Sequence, residues 1–213
     1  MTVPLVTTSA GTKFGKTEAG AVWLDAERTS PYGFYQFWRS TEDADVGRYL
    51  RFYTLLSHAE IEALEAATAS APEQRDAQTA LARDVTRRVH GATALEAAEQ
   101  VSTFFFGGLD PRELTDEAFA ILRAEAPFAE VDEAAVASES DSSSFDAFKL
   151  LTASGLAASN GAAKRLLEQG GVSVNKRKIG AADRLVPRDS ALLRGGHIVV
   201  GKGKRDYAVL KVR

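Results

Sequence analysis

From Ser30 onward apolar residues recur every three to four positions, and each run is preceded by a residue suited to a helix N-terminus. Ser30-Pro31 puts proline at a first helical position, and Phe34, Phe37 and Trp38 then fall on one face. Ser40 with Asp43 reads as the start of a helix carrying Val46, Leu50 and Tyr53. Ser57 with Glu60 starts one carrying Ile61 and Leu64, and Ser70 with Glu73 one carrying Ala77, Leu81, Val85 and Val89. Thr93 with Glu96 opens the next, which runs through Leu95 and Ala98 towards Phe105 and stops at Gly107-Gly108; a shorter helix follows Thr115 and ends before Pro127. Residues 30–127 are thus predicted to be a helical domain.

The pattern differs on both sides. Val3 to Phe14 reads as two short extended segments around Thr8-Ser9-Ala10-Gly11, a hairpin without a sheet. Residues 128–145, with the run Glu133 to Ser144, are acidic and poor in bulky apolar side chains, which predicts a flexible linker. Beyond it, helices are expected over Asp146 to Ser154, closed by Gly155, and over Ser159 to Gln169, closed by Gly170-Gly171. Strands follow at Val172 to Asn175, Ile198 to Val200 and Tyr207 to Val212, so residues 146–213 read as an α+β module. The fold class is mainly α with an α+β C-terminal module.

Cysteine is absent and the three histidines, at 58, 90 and 197, are scattered, so neither disulfides nor a protein metal site is expected. No apolar run reaches the ~18–20 residues that cross a bilayer. The N-terminus has neither a basic leader nor a small-residue cleavage site, and a cytoplasmic protein with no membrane partner is expected. Charge adds more. Residues 1–145 hold 12 Lys/Arg against 24 Asp/Glu and residues 146–213 hold 14 against 5, so a net charge of −3 is made of −12 followed by +9. A basic module on an acidic body is the electrostatic footprint of a polyanion-binding protein; the plainer alternative is a solvated basic surface.

Two motifs carry chemistry. Lys13-Phe14-Gly15-Lys16-Thr17 ends like a phosphate-binding P-loop, but Ala10 stands where that pattern has its first glycine, and Glu18 to Asp25 shows no apolar face at helical spacing. Two lysines around a glycine suit a loop that brings charge to a triphosphate as its pyrophosphate leaves. The second motif, Ser159-Asn160-Gly161-Ala162-Ala163-Lys164-Arg165 through Gly170-Gly171 to Asn175-Lys176-Arg177-Lys178, sets basic groups on a capped helix and on the strand after it. The aromatic residues of this module, Phe145, Phe148 and Tyr207, read as core rather than as stacking platforms.

The first motif, with Thr2-Val3-Pro4-Leu5 before it and Ser30-Pro31-Tyr32 and Phe34 to Trp38 after it, resembles the KMSKS loop of bacterial tyrosyl-tRNA synthetases, class I aminoacyl-tRNA synthetases. The second resembles the alpha-L RNA-binding motif found in the same family. The resemblance implies residues 1–29 as the remnant of a Rossmann-type catalytic domain, 30–127 as an anticodon-binding domain, 128–145 as a linker and 146–213 as an alpha-L RNA-binding domain. It implies Lys13, Lys16 and Thr17 as catalytic residues, with Lys13 and Lys16 on the phosphates of ATP, whose counter-ion is Mg. It implies Ser159, Lys164, Arg165, Asn175, Lys176, Arg177 and Lys178 as RNA-binding residues. The partners would be tRNA, and ATP and tyrosine once a catalytic domain is present; the family is homodimeric. The His-Ile-Gly-His-like signature and the tyrosine pocket of that domain have no counterpart here. The expected function is therefore that of a tyrosine–tRNA ligase represented by its tRNA-binding half, inactive in tyrosine activation alone, against the alternative of an autonomous RNA-binding protein.

Overall fold

The computed structural model describes residues 6–9, 11, 16–17, 20–203 and 206–213, with only the backbone of 16, 17 and 20. They fall into two compact units, divided between Ser102 and Thr103.

The first unit is helical. A small antiparallel pair, β1 (Lys16–Thr17) with β2 (Gly20–Ala21), precedes α1 (Pro31–Arg39), α2 (Asp43–Tyr53), α3 (His58–Ser70), α4 (Asp76–His90) and α5 (Ala92–Ser102). The hairpin expected over residues 3–14 lies largely outside the described residues. Ser30 caps α1 by accepting from the Gly33 N–H at 2.9 Å, and Ser57 and Glu60 form a reciprocal capping box on α3. Two other predicted starts are displaced. Ser40 closes α1, and α2 begins after Glu42 without a side-chain cap. Ser70 is the last residue of α3, because this alanine-rich helix runs on until the 3₁₀ turn Pro72–Gln74. Arg75 then takes φ 55°, and its guanidinium donates to the carbonyl oxygens of Arg39 and Thr41 at 3.0 and 2.9 Å, holding that left-handed residue in place. The core joins Phe34, Trp38, Val46, Leu50, Leu81 and Leu95, so α1 is buried by its aromatic face as its spacing requires. The buried Asp45 carboxylate accepts from Ser9 N–H and O–H at 3.0 and 3.1 Å, which ties the segment before the KMSKS-like loop to α2.

The second unit is an α+β fold. A π-helical turn, Thr103–Gly107, leads to α6 (Asp116–Glu125), capped by Thr115. Next come β3 (Phe128–Val131), α7 (Glu133–Val136), β4 (Ser144–Asp146), α8 (Ala147–Ala153) and α9 (Asn160–Glu168). The chain ends with β5 (Val172–Val174), β6 (Arg177–Ile179), β7 (Leu185–Pro187), α10 (Arg188–Ala191), β8 (His197–Lys202) and β9 (Asp206–Val212). Five strands form one sheet in the order β3-β9-β8-β5-β6, and β4 pairs with β7.

The predicted linker over 128–145 is corrected by this structure. β3 runs parallel to β9 in the register Phe128↔Val209 to Val131↔Val212, β4 pairs Phe145 with Val186, and Val136 and Phe145 are both 0% exposed. A few well-spaced apolar anchors are enough to hold an acidic, serine-rich stretch, because the backbone of β3 covers one edge of the sheet.

Candidate nucleic-acid interface

The basic motif is built on α9 and the β5–β6 hairpin. Ser159 accepts from the Ala162 N–H at 3.3 Å and so caps α9. Ala163 and Leu167, four apart, enter the core with half-buried Leu166, and this orientation turns Lys164, Arg165 and Glu168 outward. Gly170, with φ 65°, ends the helix. The same core holds Val172 and Ile179, so α9 lies against the sheet whose edge strand is β6. Arg177 and Lys178 are exposed on that edge. Charged residues there also discourage pairing with another strand.

Asn175 and Lys176 form a two-residue turn with φ 50° and 63°, the left-handed pair that joins strands in a type I′ hairpin. Asn175 is buried and its side chain is fully engaged: Nδ2 donates to the carbonyls of Ala191 and Ser190 at 2.7 and 3.2 Å, and Oδ1 accepts from the Val199 N–H at 2.9 Å. Lys176 Nζ donates to the Phe104 carbonyl and lies 4.3 Å from the centre of the Phe104 ring, and burial pushes its ammonium pKa below the usual lysine range. Both residues expected to touch RNA are thus engaged inside the unit. Ser159, Lys164, Arg165, Arg177 and Lys178 remain on its surface.

An inventory of ion pairs separates two kinds of cation. Lys149, Arg184, Arg188, Arg194 and Arg213 meet Glu139, Asp146, Glu133, Asp116 and Glu130 respectively. Burial alone would raise the Asp146 carboxyl pKa, but Arg184 at 2.7 Å and the Phe148 N–H override it and hold it below the usual carboxylate range. By contrast Lys164 is 3.9 Å from Glu168 with both side chains well exposed, and among the described residues no carboxylate lies within ion-pair reach of Arg165, Arg177 or Lys178. Several of the pairing acids lie in 103–145, which alters the charge balance read from the sequence. Divided at the structural boundary, residues 1–102 carry 10 Lys/Arg against 14 Asp/Glu and residues 103–213 carry 16 against 15. The second unit is close to neutral overall, so the basic character of α9 and β6 is local.

Of the expected aromatics, Phe145 is core, Phe148 lies 4.5 Å beneath the Arg184 guanidinium, and Tyr207 packs against Phe104 at 5.5 Å. In the helical unit, Arg83 pairs with Glu99 and Arg88 with Asp84, while Arg87 is exposed. His90 packs edge-on to Phe34 at 4.8 Å, and burial lowers its pKa, so it ends α4 as a neutral ring.

Lys13 lies outside the described residues; Lys16 and Thr17 form strand β1, not the helix start that a P-loop requires.

Residues 1–107 match the family model described as tRNA synthetases class I (W and Y). Residues 125–210 match the model of a tyrosine–tRNA ligase SYY-like C-terminal domain. A tyrosine–tRNA ligase of Anaeromyxobacter dehalogenans is 46% identical over 100% of this chain and 49% of its own length. Those of Roseiflexus castenholzii and Corynebacterium glutamicum are 45% and 43% identical, over 98% and 100% of this chain and 48% and 49% of their own lengths. The chain spans about half the length of the curated relatives it matches. On the family model that covers half of its residues, this chain belongs to the class I tRNA synthetases (W and Y).

Proposed function

We propose that the chain is the tRNA-holding half of a tyrosine–tRNA ligase. In this reading Lys164, Arg165, Arg177 and Lys178 contact phosphates of folded tRNA, and the helical domain receives the anticodon. Lys13, Lys16 and Thr17 would act on the triphosphate of ATP, with its Mg counter-ion, once a tyrosine-binding catalytic domain is present. The observation that supports it is the clustering on two adjoining elements of Arg165, Arg177 and Lys178, which have no carboxylate within ion-pair reach among the described residues, with Lys164, whose pair with Glu168 is long and exposed, while Lys149, Arg184, Arg188, Arg194 and Arg213 are held by acids. Exposed cations of this kind can displace the counter-ions condensed on RNA phosphates, whereas paired ones must first leave their carboxylate. RNA recognition through shape and phosphates needs no aromatic platform, consistent with Phe145 in the core and Tyr207 packed on Phe104.

Binding of a tyrosine-accepting tRNA transcript across a salt series tests the reading. Replacing Lys164 and Arg165 by alanine should weaken binding and flatten the log–log salt dependence by about one unit per lost contact. An unchanged slope would refute their role. Tyrosine-dependent ATP–pyrophosphate exchange should be absent from this chain alone, and measurable exchange would overturn the division of labour proposed here.

A further inference from the structure

Beside the basic edge strand is a cleft of about 240 Å³, which shares only Arg177 with the proposed phosphate contacts. Its volume is below the ~300–1,000 Å³ of sites that hold drug-sized ligands, so it suits one flat ring system rather than a larger molecule. Its apolar lining comes from Val174, Ile179 and Val186, and Leu185 is left 40% exposed on it, with exposed Pro187 alongside. Two guanidinium groups, one carboxylate and the polar residues Asn175 and Ser190 make up the rest of the lining. Arg112 is held by Asp110 at 3.4 Å and by the Ser190 carbonyl at 3.2 Å, and Arg177 belongs to the exposed cations of β6.

The remaining charged lining residue is Asp183, whose Oδ2 accepts from the Gly180 N–H at 3.0 Å. A carboxylate inside the cleft disfavours a phosphate there, yet it can accept a hydrogen bond from an amino or imino N–H. An apolar lining, two planar cations, a charged acceptor and the Ser190 hydroxyl together describe an uncharged, flat, N–H-bearing ligand attached to an anionic strand. That is an unstacked nucleobase of RNA, which proteins hold by stacking on aromatic rings or arginine planes.

We propose that this cleft receives one extruded base of the bound tRNA, between Arg112 and Arg177, with its N–H edge towards Asp183. The proposal rests on the tRNA-binding reading above. It is tested on the full chain with the same tRNA transcript, using R112K and R177K, which keep the charge and lose the plane, and L185S, which removes the apolar wall. Each should weaken binding about five- to tenfold with the salt slope unchanged, at unchanged far-ultraviolet circular dichroism. Chemical probing of the RNA should find one unpaired nucleotide protected by the native chain and reactive again with L185S. Native affinity in all three variants, absence of a protected nucleotide, or displacement of the tRNA by a free mononucleotide at micromolar concentration would overturn the proposal. A slope flattened at Lys164 and Arg165 with no base protected would remove the cleft and keep the phosphate contacts. Base protection with an unflattened slope would do the reverse.

Discussion

Replacing Asn175 by alanine separates a structural role from an RNA-contacting one. The side chain makes three hydrogen bonds, and two of its partners belong to residues almost or wholly without exposure, Val199 at 1% and Ala191 at 0%. Alanine would leave the Val199 N–H and the Ala191 carbonyl unpaired, at about 1–3 kcal/mol each. It would also have to hold φ 50°, a left-handed conformation that asparagine tolerates and alanine resists by about 1–2 kcal/mol. The loss should therefore be about 3–8 kcal/mol, and with a urea dependence near 2 kcal/mol per molar the midpoint should fall by at least about 1.5 M. Asn175→Gly relieves the backbone and not the hydrogen bonds, so it should recover only about 1 kcal/mol of this loss. Both tryptophans, Trp23 and Trp38, lie in the first unit, so their fluorescence follows that unit while circular dichroism follows both. The expected result is an early circular-dichroism transition with the fluorescence transition unmoved. An unshifted midpoint together with weakened tRNA binding would refute the structural assignment and return Asn175 to the RNA surface.

Phe145→Ala should cost about 3–5 kcal/mol in the same second-unit transition, since the ring is fully buried; a change under about 1 kcal/mol would mean that 128–145 is a tether after all. His197 stacks on Phe119 at 4.5 Å with Nδ1 on the Arg194 carbonyl at 2.7 Å, and its buried Nε2 has no hydrogen-bond partner among the described residues. Burial lowers its pKa from the usual 6.5, so the stability it contributes is present above that value and is lost as pH falls towards the folded-state pKa. Unfolding of the second unit should therefore become easier below about pH 6.5, and His197→Gln should flatten that dependence; equal pH dependence in both proteins would rule the histidine out. With about four phosphate contacts, from α9 and β6, the native salt slope should be near −3, and a slope near −8 would mean that the patch is drawn too small.

The elements read best from the sequence were those that depend on neighbours in the chain. Ser30-Pro31, Ser57 with Glu60, and Ser159 were capping signals that the folded chain uses, and the buried face of α1 follows from the spacing of Phe34 and Trp38. Two starts were displaced: at Ser70 the alanine-rich α3 runs on to the Pro72 turn, and the end of α1 near Ser40 is held by Arg75, which reaches back 34 to 36 residues to Thr41 and Arg39. Strand β3 was illegible for a related reason. Its partner is β9, at the other end of the unit, and four residues of mixed character carry no period of their own. In the site, exposed cations were recognisable as a cluster, but the turn Asn175-Lys176 was assigned to RNA although asparagine before a second left-handed residue is itself a hairpin signal.

The charge pattern had the same weakness. A boundary drawn after residue 145 makes the tail strongly basic, whereas the structural boundary places Asp116, Glu130, Glu133 and Glu139 in the same unit as the cations they pair with. In the proposed reading, attraction for RNA then comes from a local patch rather than from a net field. At ordinary ionic strength this difference decides the behaviour, because charges more than about 10 Å apart in solvent are largely screened. Exposed ion pairs add little to stability, typically under about 1 kcal/mol. In the second unit they occupy several of the surrounding arginines, whereas Arg165, Arg177 and Lys178 on α9 and β6 have no carboxylate within ion-pair reach among the described residues, and Arg177 also lines the cleft proposed to receive a base.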